Sequence, residues 1–353
     1  VPRPADNAGP ADPSAEPRAR LSSAWPRARL SSAWPRARLH VVTGKGGTGK
    51  TTVAGALALA LAADGRRTLI VEVEGRQGLA QLFDTPPLPY AERRVAVAPG
   101  GGEVRALAVD AEEALLDYLD MFYRLGTAGR ALKRLGAIDF ATTIAPGLRD
   151  VLLTGKVKEA VTRTEQGRRA RGRVYDAVVL DAPPTGRIAR FLNVTAETAK
   201  LAKVGPIKTQ SEGVAAILRS PLTAVHVVTL LEEMPVQETA DATAELAELG
   251  MSVGAIIVNE TRPALLDGGK VTQAELRRGL TAAGLPADRA TVAGLAAEVA
   301  EYRARLDLEH RLRGELDKLD RLMLELPLLP EGIDVSALYS LAETLTKQGV
   351  VTA

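Results

Sequence analysis

Residues 44–51 read Gly44-Lys45-Gly46-Gly47-Thr48-Gly49-Lys50-Thr51, which fits the spacing G-x-x-x-x-G-K-[ST]. Glycines at this density let the backbone close into a nest of N–H groups, a seat for an anion such as a β-phosphate. In that setting the Lys50 ammonium reaches the outer phosphates of a triphosphate, and the Thr51 hydroxyl is a ligand for Mg²⁺. An apolar run, Leu39 to Val42, leads into the loop, and a helical pattern from Thr52 to Ala63 leads out of it. The helix N-terminus adds a partial positive charge at the same place. Lys45 is a second lysine, directly after the first glycine. At that position it points away from its own phosphates. It becomes useful when a second subunit supplies it across an interface, as an arginine finger does in trans.

Other strand ends carry matching chemistry. Val178-Val179-Leu180-Asp181 is an apolar strand closing on an acid, followed by Ala182-Pro183-Pro184-Thr185-Gly186. An aspartate so placed beside a phosphate loop can hold the water shell of Mg²⁺, and Gly186 in the following turn can sense a γ-phosphate. Ile70-Val71-Glu72-Val73-Glu74-Gly75 puts two carboxylates on one side of a strand end. Glu74 is the candidate to orient an attacking water, and Glu72 the candidate outer-shell support for the metal. Ile256-Ile257-Val258-Asn259 ends a strand in an amide that can pair with both donor and acceptor on an adenine edge. Pro327 and Leu328, within Leu326 to Pro330, suit either an apolar wall for the base or a rigid linker.

These residues need a scaffold of strand ends. Strand signals fall at 38–43, 68–73, 104–109, 175–181, 224–230, 253–258 and 322–326, alternating with helical patterns. Such alternation predicts an α/β fold, a doubly wound and mostly parallel sheet of the phosphate-loop NTPase kind. The stretch between 109 and 175 is too long for one crossover and predicts an inserted α-helical subdomain at about 111–170, with 190–222 a second candidate. It contains an apolar stripe, Leu115, Leu116, Leu119, Met121 and Phe122, which suits core packing or a groove for a client. Arg168, Arg169, Arg171 and Arg173 form a basic loop after it. The domain is expected over 38–347. Residues 1–37 hold a nine-residue tandem repeat, Pro17 to Trp25 and Pro26 to Trp34, in a Pro-, Ala- and Arg-rich context that predicts a disordered tail.

Composition narrows the function. The chain has 353 residues and a net charge of +2. Seven of its arginines, against three acids, lie in residues 1–38, so the remainder is near neutral and no nucleic-acid partner is expected. There is no cysteine, which excludes disulfides, thiolate zinc sites and iron–sulfur clusters. The longest apolar run, Val53 to Ala63, is too short to span a bilayer. A cytoplasmic protein without a transmembrane segment is the expectation.

Taken in order, the two lysines, Glu72-Val-Glu74-Gly75, Asp181-Ala-Pro-Pro-Thr-Gly186, Val258-Asn259-Glu260 and Leu326-Pro-Leu-Leu-Pro330 resemble the arsenical-pump ATPases and the ATPases that target tail-anchored membrane proteins. Pro146-Gly147-Leu148-Arg149-Asp150 looks like that family's element in the helical insertion. The resemblance spans residues 38–347. It implies a Mg-ATP-dependent dimeric ATPase with ATP and Mg²⁺ as cofactors. Residues 44–52, Thr52 included, would wrap the triphosphate. Lys45 would act across a homodimer or a heterodimer with a related ATPase, and Lys50, Glu74 and Asp181 would be catalytic. Glu232 would help hold the nucleotide at the interface, and Asn259 would read adenine. A protein client would sit on the helical subdomain. Departures are visible: Glu74-Gly75-Arg76-Gln77 stands where the family has Asp-Pro-Ala-His, and Arg187 follows Thr185-Gly186 where the family has His. Without thiols, neither a zinc clamp nor arsenite is expected. Two other readings remain at this stage. One is a slow or inactive subunit acting as a scaffold. The other is a partitioning ATPase on DNA or membrane, which the single base Lys347 in Ser336–Ala353 counts against.

Overall fold

The computed structural model describes residues 34–123, 146–165, 172–193, 206–263, 265 and 271–351. Eight strands form one sheet: β1 (Leu39–Gly44), β2 (Arg67–Glu72), β3 (Arg93–Ala98), β4 (Gly102–Ala108), β5 (Ala177–Asp181), β6 (Thr223–Thr229), β7 (Val253–Thr261) and β8 (Leu322–Pro327). Their order is β3-β4-β2-β5-β1-β6-β7-β8, and every pairing is parallel except the antiparallel β3–β4. The expected doubly wound α/β architecture is present. β3, which the strand signals did not include, closes one edge as a hairpin with β4.

The central strands are buried on both faces, and their side chains alternate between two cores. Leu39, Val41, Leu69, Val71, Val178 and Leu180 face one core, and Val42, Ile70, Val179 and Val228 face the other. On the second face lies α1 (Lys50–Leu61), in which every residue from Val53 to Leu61 is buried. A helix apolar all round needs cover all round. The sheet supplies one side, and α10 (Val335–Lys347) supplies another through Leu338, Leu341 and Leu345. Between them in sequence come the short α2 (Gly78–Leu82), α3 (Ala111–Tyr123), α4 (Pro146–Thr162), α5 (Thr185–Leu192), α6 (Pro206–Leu218), α7 (Glu233–Glu248), α8 (Gln273–Ala282) and α9 (Arg289–Asp317).

The described helices of the expected insertion pack on the sheet. Leu115 of α3, and Val151, Leu152, Val157 and Val161 of α4, share one continuous core with Leu39 and Leu180. Leu116 and Leu119 pack against the same core, so this part of the stripe is packing surface. The side chains of Met121 and Phe122 lie outside the described residues, as do Arg168, Arg169, Arg171 and the repeat before Trp34. Trp34 itself is buried beneath the sheet, stacked on His226 with ring centroids 4.8 Å apart. Burial lowers both His226 and its neighbour His40, the latter to about 4, so both rings are neutral near pH 7. The helix α9 meets β7 through Leu312 and Leu316 against Ile256 and Val258. Among the described residues no helix is long and apolar enough to cross a membrane.

Candidate active site

β1 lies between β5 and β6, so the loop after β1 opens at the centre of the sheet, where ligands of open α/β sheets bind. Register places Val42 beside Asp181, and Glu72 beside Asp181 in turn. The carboxyl ends of β2, β5 and β1 therefore present their side chains at one level.

The phosphate loop is held from inside and from one flank. The Lys45 carbonyl accepts from the Thr48 hydroxyl at 3.0 Å and from Lys50 Nζ at 3.2 Å, which curls the loop back on itself. Gly49 caps α1 with φ +81°, and a Cβ there would meet Asn259 Nδ2 at 2.4 Å. Glycine is required at this position on both counts. Asn259 is buried and donates from that same nitrogen to the Thr48 carbonyl at 3.0 Å, so the end of β7 fixes the loop. Gly46 and Gly47 are exposed at the mouth, and Thr52 lies half-buried in the first turn of α1.

Thr51 Oγ1 donates to Asp181 Oδ2 at 2.7 Å, joining the loop to the end of β5. Burial pushes the Asp181 carboxyl up to about 6, with Glu72 and Glu74 adding to the rise and Thr51 and Lys50 opposing it. Lys50 is lowered mainly by burial, against the attraction of Asp181 and Glu74. Glu72 turns the other way. Its two carboxylate oxygens accept from the N–H groups of Gly78 and Leu79, each at 3.2 Å, and so cap α2. Glu74 is partly buried between two guanidinium groups, Arg76 and Arg187, each 3.6 Å away.

Lys45 leaves its own cradle and forms an ion pair with Glu238 of α7. The other oxygen of Glu238 accepts from the Thr185 hydroxyl at 3.0 Å. Glu238 thus ties the second lysine to the turn after Asp181, and sequence reasoning gave it no role. Its only signal was a place six residues beyond Glu232. Glu232 is exposed at the N-terminus of α7, with Arg305 at 3.4 Å. Gly186 opens α5, with nothing within 4 Å of where a Cβ would stand. Pro327 and Leu328 lie half-buried beside Thr261, whose carbonyl accepts from the Leu328 N–H at 2.9 Å. They stand one strand beyond Asn259.

Among the described residues no cluster of three or more His, Asp or Glu is placed to cage a metal. A hydroxyl, one carboxylate and open space are what Mg²⁺ takes when phosphate oxygens and water complete its shell. The donors at Thr51 and Asp181 fit that ion.

The family model described as anion-transporting ATPase matches residues 37–210 and 194–274. The chain belongs to the anion-transporting ATPase family. This family member is also 54% identical over 319 residues to the ATPase BagA of Mycobacterium tuberculosis, covering 88% of this chain and 93% of that protein. It is 28% identical to the ATPase GET3 of Kluyveromyces lactis over 262 residues, 65% of this chain and 73% of that one. With an arsenical pump-driving ATPase of Acidiphilium multivorum it shares 26% identity over 245 residues, 63% of this chain and 39% of the pump-driving protein. Like them, this family member is an ATPase.

Proposed function

We propose that this ATPase works as a nucleotide-gated dimer in which each subunit completes its partner's site with Lys45. The observation that carries this reading is the divergence of the two lysines. Lys50 curls over its own loop, whereas the Lys45 ammonium is turned outward to Glu238, half-exposed at the mouth. An outward lysine beside a triphosphate can neutralise charge on a partner's phosphates once it leaves Glu238.

Within one subunit, the loop N–H groups and Lys50 hold the triphosphate. Thr51 and, through water, Asp181 would hold Mg²⁺, which supplies charge neutralisation across the outer phosphates. Glu72, whose two oxygens cap α2, acts on Asp181 by its negative charge alone. Glu74 orients water for in-line attack on the γ-phosphorus. The bond to the β,γ-bridging oxygen breaks, ADP leaves with the electron pair, and inorganic phosphate forms. Asn259, one amide hydrogen on the loop, has its oxygen and second hydrogen for the adenine edge, with Pro327 and Leu328 as the apolar wall. Glu232 lies at the rim facing a partner. Loss of γ-phosphate relaxes the loops after β2 and β5 and shifts the helices packed on them, which is how a client or partner on the helical side would be held and released.

The test is Glu74→Gln. Its expected outcome is Mg-ATP binding close to the parent with turnover reduced about a hundredfold, the size of a lost general-base contribution. Turnover at the parental rate would contradict the role given to Glu74.

A further inference from the structure

We propose that Arg187, supported by Arg76, is a phosphate-sensing residue that holds Glu74 at rest and exchanges it for the terminal phosphate when a triphosphate binds. The inference rests on the reading of Glu74 as the acid that orients water.

Three features lead to it. First, the two guanidinium groups approach Glu74 from different loops. Arg76 follows β2 and stands 3.6 Å from one carboxylate oxygen, and Arg187 lies on the first turn of α5 and stands 3.6 Å from the other. Second, these contacts are loose. Charge-assisted N–H···O bonds close to about 2.7–2.9 Å, so neither arginine has committed its donors to Glu74. Both side chains remain largely exposed, at 75% for Arg76 and 60% for Arg187, whereas Glu74 is at 18%. Third, the backbone beneath them is fixed. Gln77 bonds Leu88 in both directions, from Nε2 to the Leu88 carbonyl at 3.2 Å and from the Leu88 N–H at 2.7 Å. Arg187 N donates to the Pro184 carbonyl at 2.8 Å, inside the turn that Asp181 begins. Anchored backbone at these two points with loosely held guanidiniums makes a pair whose side chains can change partner.

Electrostatics gives the direction of the exchange. The charges of Glu74 and Arg76 are both felt at Lys50, and that of Glu74 at Asp181, so the group stands beside the phosphate cradle. The terminal phosphate of ATP brings more negative charge than a carboxylate and three non-bridging oxygens, two of which can meet the planar fork of arginine. Gly186, immediately before Arg187, leaves the space in front of α5 open. When Arg187 moves to the phosphate, Glu74 is released from one cation and is free to accept from water. A diphosphate lacks the group that draws Arg187 away, so the resting pair persists with ADP.

Fluorescent Mg-nucleotide titrations, with the β,γ-imido triphosphate and with ADP, test this on the full chain. The variants are R187A, R187K, E74Q and R187A/E74Q. R187A is expected to weaken the triphosphate analogue about tenfold, the loss of roughly one charge-assisted contact. ADP affinity should stay within about twofold, R187K should recover part of the loss, and the loss should persist in the E74Q background. Equal weakening of both nucleotides, or no change in either, would overturn the proposal. So would a loss that disappears in R187A/E74Q, since Arg187 would then act only by restraining Glu74. If E74Q hydrolyses ATP normally while R187A still selects against the triphosphate, the role of Glu74 fails and the phosphate contact of Arg187 stands.

Discussion

Asp181 is held at the end of β5 by one hydroxyl, beside two other carboxylates, and burial dominates its environment. A carboxyl raised from 3.8 to about 6 keeps its proton in the folded chain over a range where the unfolded chain has lost it. Its contribution to stability therefore falls as pH rises from about 4 to 6 and stays unfavourable above that, by roughly 3 kcal/mol. Asp181→Asn removes the titration at nearly constant shape. Urea unfolding without nucleotide should show the parent losing ground to the variant across that window, and parallel pH curves would contradict the assignment. Thr51 and Lys50 could be singled out in the sequence because they share one loop at fixed spacing, and Asp181 because it closes an apolar strand; the bond between Thr51 and Asp181 spans 130 residues and comes from the fold. Glu238 could not be singled out, since its partner Lys45 stands 193 residues away and only the packing of α7 brings them together. The pairing of Glu74 with Arg187 was hidden for the same reason. Both residues stood out as departures from the family pattern, but nothing in the sequence placed one opposite the other.

At the level of elements, the central parallel strands were readable because both faces are buried and their runs are almost wholly apolar. Boundaries moved by one to three residues, most at the end of β7, which runs to Thr261. β3 was missed because Arg93-Arg94-Val95-Ala96-Val97-Ala98 is a half-exposed edge strand with a bulge between Arg94 and Ala96. Edge strands carry charge to resist pairing with other chains, which weakens their apolar signal. The usable cue was the alternation followed by Pro99-Gly100-Gly101-Gly102, a hairpin signature. That turn also locks β4 to the end of α1. A Cβ on Gly102 would stand 1.6 Å from the Ala62 carbonyl oxygen and 2.8 Å from that of Arg66. Both are backbone atoms, so neither can swing aside. Gly102→Ala is expected to lower unfolding free energy by about 1–3 kcal/mol, the usual cost of overpacking. Thermal denaturation measures it, and an unchanged midpoint would show that β4 is free to shift.

At the scale of the whole molecule, membership in the anion-transporting ATPase family and the phosphate loop were both readable from motif order. The helical side was less so. Its described helices α3, α4 and α6 form one layer on the sheet, because Val151, Leu153, Val157 and Val214 bury themselves against β1 and β5. In the proposed function, changes in the loops after β2 and β5 would pass to this layer through the strands it packs on. A second subunit completes the site in that proposed function. Each Lys45, parked on Glu238 in the single chain, is expected to change allegiance when two nucleotide-loaded mouths meet.

Sedimentation velocity of the parent and of Lys45→Ala, each alone and with the Mg²⁺ complex of the β,γ-imido triphosphate, reads that change directly. The parent should pass from monomer to dimer on adding the analogue. The variant should stay monomeric while still binding it, with turnover reduced in proportion. A Lys45→Ala chain that pairs and hydrolyses ATP like the parent would leave the exchange of lysines between subunits without support.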